Sequence, residues 1–103
     1  DVCSSDLLSA VEVLGLHWTD LATACAVKLG LYAGTTPDLA EARILIDALA
    51  GLVDGSARSL GSHHAAPMRE TLKQLQQEFR RASAFPDEPG EGPGERYTGY
   101  VAP

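Results

Sequence analysis

The chain has 103 residues and a formal net charge of −6. This length corresponds to one small domain. Because a net basic field supplies most non-specific affinity for nucleic acid, the acidic balance disfavours direct binding of DNA or RNA. The longest apolar stretch, residues 8–31, contains two acidic residues, a histidine and a lysine, which argues against a membrane span. The composition therefore predicts a soluble protein that binds neither nucleic acid nor a membrane directly.

Residues 1–7 read like the translation of a common sequencing adapter, because all seven match it and no initiator Met precedes them. A natural helix cap built from Ser5 and Asp6 is the alternative. On the adapter interpretation the natural N-terminus is missing, Cys3 is not native, and Cys25 is the only remaining cysteine. A single thiol cannot form an intramolecular disulfide, which favours a reducing cytoplasm. We therefore leave residues 1–7 out of the fold argument and expect a cytoplasmic protein.

The first predicted helix runs from about Leu8 to Leu29. Apolar residues recur there at steps of three and four, and a second apolar set widens the face they form. A helix with so wide an apolar surface is either central in its bundle or shared with another copy, so a homodimer through helix one is a hypothesis. Gly30 is the expected stop. The first apolar set is Val11, Leu14, Trp18, Leu21, Cys25 and Leu29.

The second predicted helix begins near Asp38, either through a capping box with Glu41 or with Thr36 as the N-cap. It is expected to end at residues 54–55, an Asp-Gly pair. Leu60 is then expected to anchor the connection that follows beneath the bundle.

The third predicted helix is capped by Ser62 or His63, because Pro67 is tolerated only in a first turn. Its apolar stripe steps four, three, four and three residues, which resembles the stripes of the first two helices. Such spacing suits helices that pack at shallow angles. The sequence therefore predicts an all-α fold, a small three-helix antiparallel bundle over residues 8–83. The stripe consists of Met68, Leu72, Leu75, Phe79 and Ala82.

Residues 84–103 are predicted to be a flexible, disordered, Gly/Pro-rich acidic tail. From Phe85 to the end, eight of nineteen residues are Gly or Pro, and the segment carries a net charge of −3. Such a segment cannot continue a helix and has little apolar surface to offset its ordering entropy.

The end of the tail has a different composition, since it carries Arg96, Tyr97, Tyr100 and Val101. Peptides of this kind dock through aromatic anchors or by strand addition. We therefore expect these four residues to bind a protein partner. Incidental aromatic residues in a disordered terminus are the alternative.

A second candidate partner-binding surface is the basic face of helix three, formed by Arg69, Lys73 and Arg80. A face of this kind is usually solvated, and its surface ion pairs contribute little to stability. If the face has a function, we expect it to be a docking surface for an acidic partner or for the protein's own acidic tail.

Few residues offer a basis for catalysis or metal binding. His63 and His64 are neighbours that point about 100° apart on a helix, so they do not converge on one metal ion. His17 and Asp20 form a possible base and its orienting group, but no nucleophile accompanies them. Cys25 falls on an apolar face and is expected to be structural. We expect no catalytic, cofactor-binding or metal-binding residues, and a protein that is not an enzyme.

From Leu21 to Ser83 the sequence resembles a family of small bacterial proteins known as domain of unknown function 1844. The resemblance rests on residues 26–31 (AVKLGL), residues 38–49 (DLAEARILIDAL) and the helix at residues 72–79. Residues 85–99 are similar to the tail of the actinobacterial branch of that family. The family has no assigned activity. Members of that branch are often encoded beside a translation initiation factor and ribosomal proteins, so the resemblance implies a translation-associated role.

The sequence as a whole predicts a non-enzymatic cytoplasmic protein-interaction module, possessing a partner-binding tail and no cofactor. The alternative is a regulatory protein that binds a small ligand or a metal in a groove between helices one and three. That groove is expected to lie near His17, Trp18 and His63.

Overall fold

The computed structural model describes residues 9–103, and residues 1–8, which include the seven attributed to an adapter, lie outside the described residues. Three long helices follow one another: α1 (Ala10–Lys28), α2 (Leu39–Leu60) and α3 (Ser62–Ala82). A single-turn helix, α4 (Glu95–Thr98), lies near the end of the chain. Residues 9–103 contain no β-strand. The predicted all-α bundle is confirmed.

The two ends of α1 are set by local hydrogen bonds. At the start, Ser9 Oγ accepts from the backbone N–H of Glu12 at 3.2 Å, and the Glu12 carboxylate accepts from the backbone N–H of Ser9 at 3.0 Å. This capping box satisfies two donors that would otherwise lack partners. At the other end Gly30 has φ 75°, and the Leu31 N–H donates to the carbonyl of Ala26 at 3.1 Å. The predicted stop at Gly30 is confirmed.

α2 begins close to its predicted start and ends later than expected. Asp38 is the N-cap, and its carboxylate accepts from the backbone N–H of Glu41 at 3.3 Å. The predicted end at residues 54–55 is wrong, because the helix continues to Leu60 and the residue with positive φ is Gly61, at 79°. Gly55 therefore lies inside α2, where a glycine costs roughly 1 kcal/mol relative to alanine. The burial of apolar side chains before and after it in the helix offsets this cost.

α3 follows α2 after a single residue. Its first residue is Ser62, within one residue of the predicted start, and Gly61 occupies the N-cap position. Pro67 therefore lies in the second turn rather than the first, which removes one backbone hydrogen bond from the helix.

The helices pack as antiparallel neighbours around one core. Trp18 Nε1 donates to the carbonyl of Leu49 at 3.2 Å, and Cys25 Sγ, further along α1, lies 3.9 Å from the carbonyl of Ala42, earlier on α2. α1 and α2 therefore run in opposite directions. The buried core consists of Trp18, Ala22, Cys25, Leu29, Ala42, Ile46, Leu49, Ala50, Val53, Leu72, Leu75 and Phe79. Within residues 9–103, no helix is long and apolar enough to cross a membrane.

The structure differs from the sequence-based expectation in the tail. Residues 84–103 turn back over α2 and α3, and within them residues 92–95 and Val101 are buried. The low apolar content of the tail, which predicts disorder, leaves polar contacts out of account. The contacts that hold the tail are mostly hydrogen bonds and two ion pairs, Arg80–Glu95 and Arg43–Asp87.

Candidate functional site

A buried ion pair joins the tail to the helical bundle. Arg80 Nε donates to Glu95 Oε2 and Arg80 Nη2 donates to Glu95 Oε1, both at 2.7 Å. The two side chains are 4% and 1% exposed. A bidentate pair between a guanidinium and a carboxylate has a fixed geometry and is stronger than a hydrogen bond between neutral groups. This contact therefore fixes the position of the tail on α3.

Backbone groups of the tail complete the surroundings of Glu95. Its carboxylate accepts from the N–H groups of Gly90, Gly92 and Val101 at 2.9, 3.1 and 3.3 Å. Burial raises the pKa of Glu95, but the hydrogen bonds from Arg80 and from these N–H groups outweigh burial and leave the pKa below its usual range. Glu95 is therefore held in its charged form.

Arg80 also makes further hydrogen bonds to the tail. Its Nη1 donates to the carbonyl of Asp87 at 2.7 Å, and its Nη2 donates to the carbonyl of Glu88 at 3.2 Å. The first part of the tail is thereby wrapped around the end of α3. A buried charge is tolerated only when it is paired and hydrogen-bonded, and both members of this pair meet that condition.

Two more polar side chains of the bundle hold the middle of the tail. Gln76, which is 2% exposed, donates from Nε2 to the carbonyl of Pro93 at 3.0 Å and to Thr98 Oγ1 at 3.1 Å. On α2, Asp47 Oδ1 accepts from the backbone N–H of Gly94 at 2.6 Å. The tail is thus attached to both α2 and α3.

The docked tail and the two helices enclose a cleft of about 750 Å³, which we call the tail cleft. Its buried lining residues are mostly apolar, while two tyrosines of the tail, Tyr97 and Tyr100, are 37% and 52% exposed. Exposed charged residues complete the lining. The lining residues are Ala50, Val53 and Asp54 of α2, Arg69, Leu72, Lys73, Gln76 and Gln77 of α3, and Tyr97, Thr98, Tyr100, Val101, Ala102 and Pro103 of the tail.

Five of the seven residues that the sequence proposed for partner binding line the tail cleft: Arg69, Lys73, Tyr97, Tyr100 and Val101. Arg69 and Lys73 are exposed, and neither has an ion-pair partner within residues 9–103. Val101 is 8% exposed, so it forms part of the lining and is not a free anchor. Two segments that the sequence proposed separately therefore meet at one surface.

The other two proposed residues lie beside the tail cleft. Arg96 is exposed, its Nη2 donates to the hydroxyl of Tyr97 at 2.9 Å, and its guanidinium lies 4.8 Å from the centre of that ring. Arg80 is buried against Glu95, and its guanidinium lies 4.9 Å from the centre of the Tyr100 ring. The sequence left two ligands open for the basic face, an acidic partner or the protein's own acidic tail. In the structure Arg80 binds the tail.

Gln76, Asp47 and Glu95 position the site but are not among the residues proposed from the sequence. One signal was present for Gln76. It lies one turn after Leu72, on the side of α3 that faces the core, and a polar residue at such a position indicates a buried hydrogen-bond partner. No comparable local pattern marks Asp47 or Glu95, whose partners are distant in sequence.

A second cleft, of about 590 Å³, lies between α1 and α3. Trp18 lines it, but His17 and His63 do not, and both histidines are exposed. Trp18 itself is 5% exposed, with its N–H bonded to the carbonyl of Leu49. No group of three or more His, Cys, Asp or Glu side chains in residues 9–103 is arranged to hold a metal ion.

Cys25 is fully buried between α1 and α2. Burial raises the pKa of its thiol to about 11. A thiol with so high a pKa is almost entirely protonated at neutral pH and is a poor nucleophile. This environment fits the structural role that the sequence predicts for Cys25.

The chain belongs to the family described as Domain of unknown function (DUF1844), which matches residues 17–81. The match runs from the middle of α1 to the last turn of α3, so it covers the helical bundle. The family resemblance of the sequence is confirmed. Comparison with curated proteins and with solved structures gave no significant match.

Proposed function

We propose that this protein is a non-enzymatic cytoplasmic protein-interaction module whose partner binds in the tail cleft. The supporting observation is that Arg69 and Lys73 on α3 line the same cleft as Tyr97 and Tyr100 of the tail. Tyrosine and arginine are enriched among the residues that dominate binding energy at protein interfaces. The surface combines these side chains with buried apolar residues, which is the usual composition of the centre of an interface.

The docked tail holds its tyrosines in place before a partner arrives. The Tyr97 hydroxyl lies so close to α2 that a Cβ atom on Gly51 would be 3.3 Å from it. Tyr100 lies over the guanidinium of Arg80, which is itself fixed by Glu95. Side chains ordered in advance lose less entropy on binding, which favours affinity. In this proposal the tail is one wall of the binding surface rather than a free peptide ligand.

The chemistry of the tail cleft supports a binding role rather than a catalytic one. Among its lining residues Asp54 has the only acidic side chain, and no histidine or cysteine lines the cleft. Acyl or phosphoryl transfer needs several converging groups, which the lining does not supply. We keep the translation-associated role implied by the family resemblance as part of this proposal, in which the contact runs through a protein partner.

Self-association through α1 is a separate proposal about partners. Leu16 and Val27 on α1 are 57% and 36% exposed, and Leu31, just after the helix, is 49% exposed. Burial of such side chains against a second copy would be favourable. Sedimentation equilibrium of the chain and of the Leu16→Glu variant tests this proposal. A monomer at every concentration in the unsubstituted chain contradicts it.

Site-specific photo-crosslinking tests the main proposal. A photoreactive phenylalanine analogue replaces Tyr97 in one variant and Tyr32 in a matched control, since Tyr32 is also an exposed tyrosine but lies outside the tail cleft. Both variants are irradiated in a lysate of an actinobacterium, the group whose tail the sequence resembles. The proposal predicts a discrete protein adduct from position 97 that position 32 does not form. No adduct at position 97, or the same adducts from both positions, contradicts it.

A further inference from the structure

We infer that the partner segment that enters the tail cleft is an acidic peptide carrying an apolar or aromatic anchor residue. This inference rests on the proposed function of the cleft and adds the chemistry of the partner. It follows from the charges at the edge of the cleft and from the apolar residues within it.

Two of the basic residues that have no ion-pair partner in residues 9–103 lie at the tail cleft. The chain has eight Lys and Arg residues, and three of them, Arg43, Arg80 and Arg81, are neutralised in ion pairs. Of the other five, Arg69 and Lys73 line the tail cleft. These two are four residues apart on α3, so they lie on the same side of the helix and project in the same direction. They present two adjacent positive charges without ion-pair partners in the described part of the chain.

The surroundings of the tail cleft strengthen this positive field. Arg96 stacks on Tyr97, which lines the cleft, and so adds a third cation beside it. Asp54 is the one acidic residue in the lining and lies on α2, whereas Arg69 and Lys73 lie on α3. The chain as a whole carries a net charge of −6, of which Asp1 and Asp6 in the adapter-like segment contribute −2, so the remainder is still acidic. An acidic partner is therefore attracted to this cleft and repelled by most of the remaining surface, which favours a single orientation of binding.

The apolar lining distinguishes a peptide from a nucleic acid. Ala50, Val53 and Leu72, at most 2% exposed, form the closed apolar floor of the cleft, and the rings of Tyr97 and Tyr100, 37% and 52% exposed, provide the apolar surface that a partner can reach. A leucine or phenylalanine side chain fits such a site and gains from burial there. A phosphate backbone would satisfy the basic residues but would leave the apolar part without a partner. The combination therefore favours an acidic peptide over RNA.

Selection from a random dodecapeptide display library tests the inference. The bait is the full chain, and the selected peptides are then titrated against the double variant Arg69→Glu/Lys73→Glu. The matched control is Lys28→Glu/Arg58→Glu, which makes the same change in net charge outside the cleft lining. Circular dichroism checks that both variants keep their helix content. We expect the selected peptides to be acidic with at least one large apolar residue, and to bind the cleft variant about tenfold or more weakly than the control.

Four outcomes overturn the inference. If the selected peptides are neutral or basic and still suppress the adduct at position 97, the partner is not acidic, but the proposed function stands. Acidic peptides that bind both double variants equally show that the attraction does not come from Arg69 and Lys73. A single-stranded RNA oligonucleotide that displaces the selected peptides at similar concentration shows that the cleft recognises phosphate rather than an acidic peptide. If the library yields no peptide that binds the chain and position 97 also forms no adduct, the proposed function fails as well.

Discussion

Arg80 and Glu95 meet in a buried bidentate pair with both N···O distances at 2.7 Å, and this pair joins the tail to α3. Removing one member of a buried ion pair typically costs roughly 3–5 kcal/mol, because the remaining charge is left without compensation. Here the remaining charge has a way to recover its hydration, since the tail can leave the bundle. Breaking the pair should therefore weaken the docking of the tail and leave the stability of the three helices nearly unchanged.

We predict that Glu95→Gln detaches the tail and leaves the three helices folded. A loss of roughly 3 kcal/mol would speed hydrogen exchange about 100-fold at the amides of Gly92 and Val101, which donate to the Glu95 carboxylate. Exchange measured by NMR checks the tail, and far-UV circular dichroism checks the helices. Glu91→Gln is the matched control, because Glu91 is an exposed residue of the same tail. Equal protection in the two variants would count against the role assigned to the ion pair.

Docking of the tail should weaken in acid. The pKa of Glu95 is lower in the folded chain than its usual value, so its contribution to docking is fully present above the pKa of an unfolded glutamate, about 4.3. That contribution is lost as the pH falls through the lower pKa of the docked state. The NMR chemical shift of the Val101 amide, followed from neutral pH downward, reports the transition. A midpoint above the usual range of a glutamate would contradict the sign of this shift.

The conformation and the space at Gly94 both make glycine necessary for docking. Gly94 has φ 74°, and a Cβ there would come 3.0 Å from both the Cβ of Ala50 and Nε2 of Gln76. Gly99 has φ 81° with nothing within 4 Å of a Cβ, so Gly99→Ala shows the effect of the backbone alone. Gly99→Ala should cost about 1 kcal/mol of docking free energy, and Gly94→Ala should cost more. Hydrogen exchange at Val101 in the two variants checks this order, and equal exchange would contradict it.

Cys25 should resist alkylation until the bundle opens. In a Cys3→Ser background Cys25 is the only thiol, and burial raises its pKa to about 11. Iodoacetamide at mildly alkaline pH should therefore modify Cys25 at least about 100-fold more slowly than it modifies a small free thiol. The rate should rise with urea at the same concentrations at which circular dichroism reports unfolding. Rapid modification of the folded chain would show that the thiol is accessible.

The helices were predictable from sequence because their signals are local. Apolar residues at steps of three and four gave the core stripes, and Asp38 and Gly30 marked the start of α2 and the end of α1. The end of α2 was misplaced because Gly55 is an interior glycine with helical backbone, whereas Gly61 adopts the positive φ that ends the helix. A sequence read one segment at a time does not distinguish these two uses of glycine.

The tail cleft was only partly predictable. The residue types at Arg69, Lys73, Tyr97 and Tyr100 suggested binding, and docking of the acidic tail on the basic face was one expectation, but no local pattern placed the two tyrosines beside Arg69 and Lys73. Their meeting depends on contacts between distant residues, such as the bond from Gly94 to Asp47, 47 positions earlier in the chain. Low apolar content predicts disorder because little apolar surface can be buried. This prediction leaves out stabilisation by ion pairs and by backbone hydrogen bonds to a carboxylate. Those contacts are what the tail uses.

The most direct test of the central claim compares partner capture by two tail variants. The claim is that the docked tail and α3 form one binding surface, so Tyr97 and Tyr100 are not sufficient alone. The photoreactive analogue at position 97 is combined with Glu95→Gln, which is expected to detach the tail, or with Glu91→Gln, which is expected to leave it docked. The account predicts that the adduct at position 97 is retained with Glu91→Gln and falls about tenfold or more with Glu95→Gln. An equal or stronger adduct with Glu95→Gln would contradict the account, because the free tail would then be the ligand by itself.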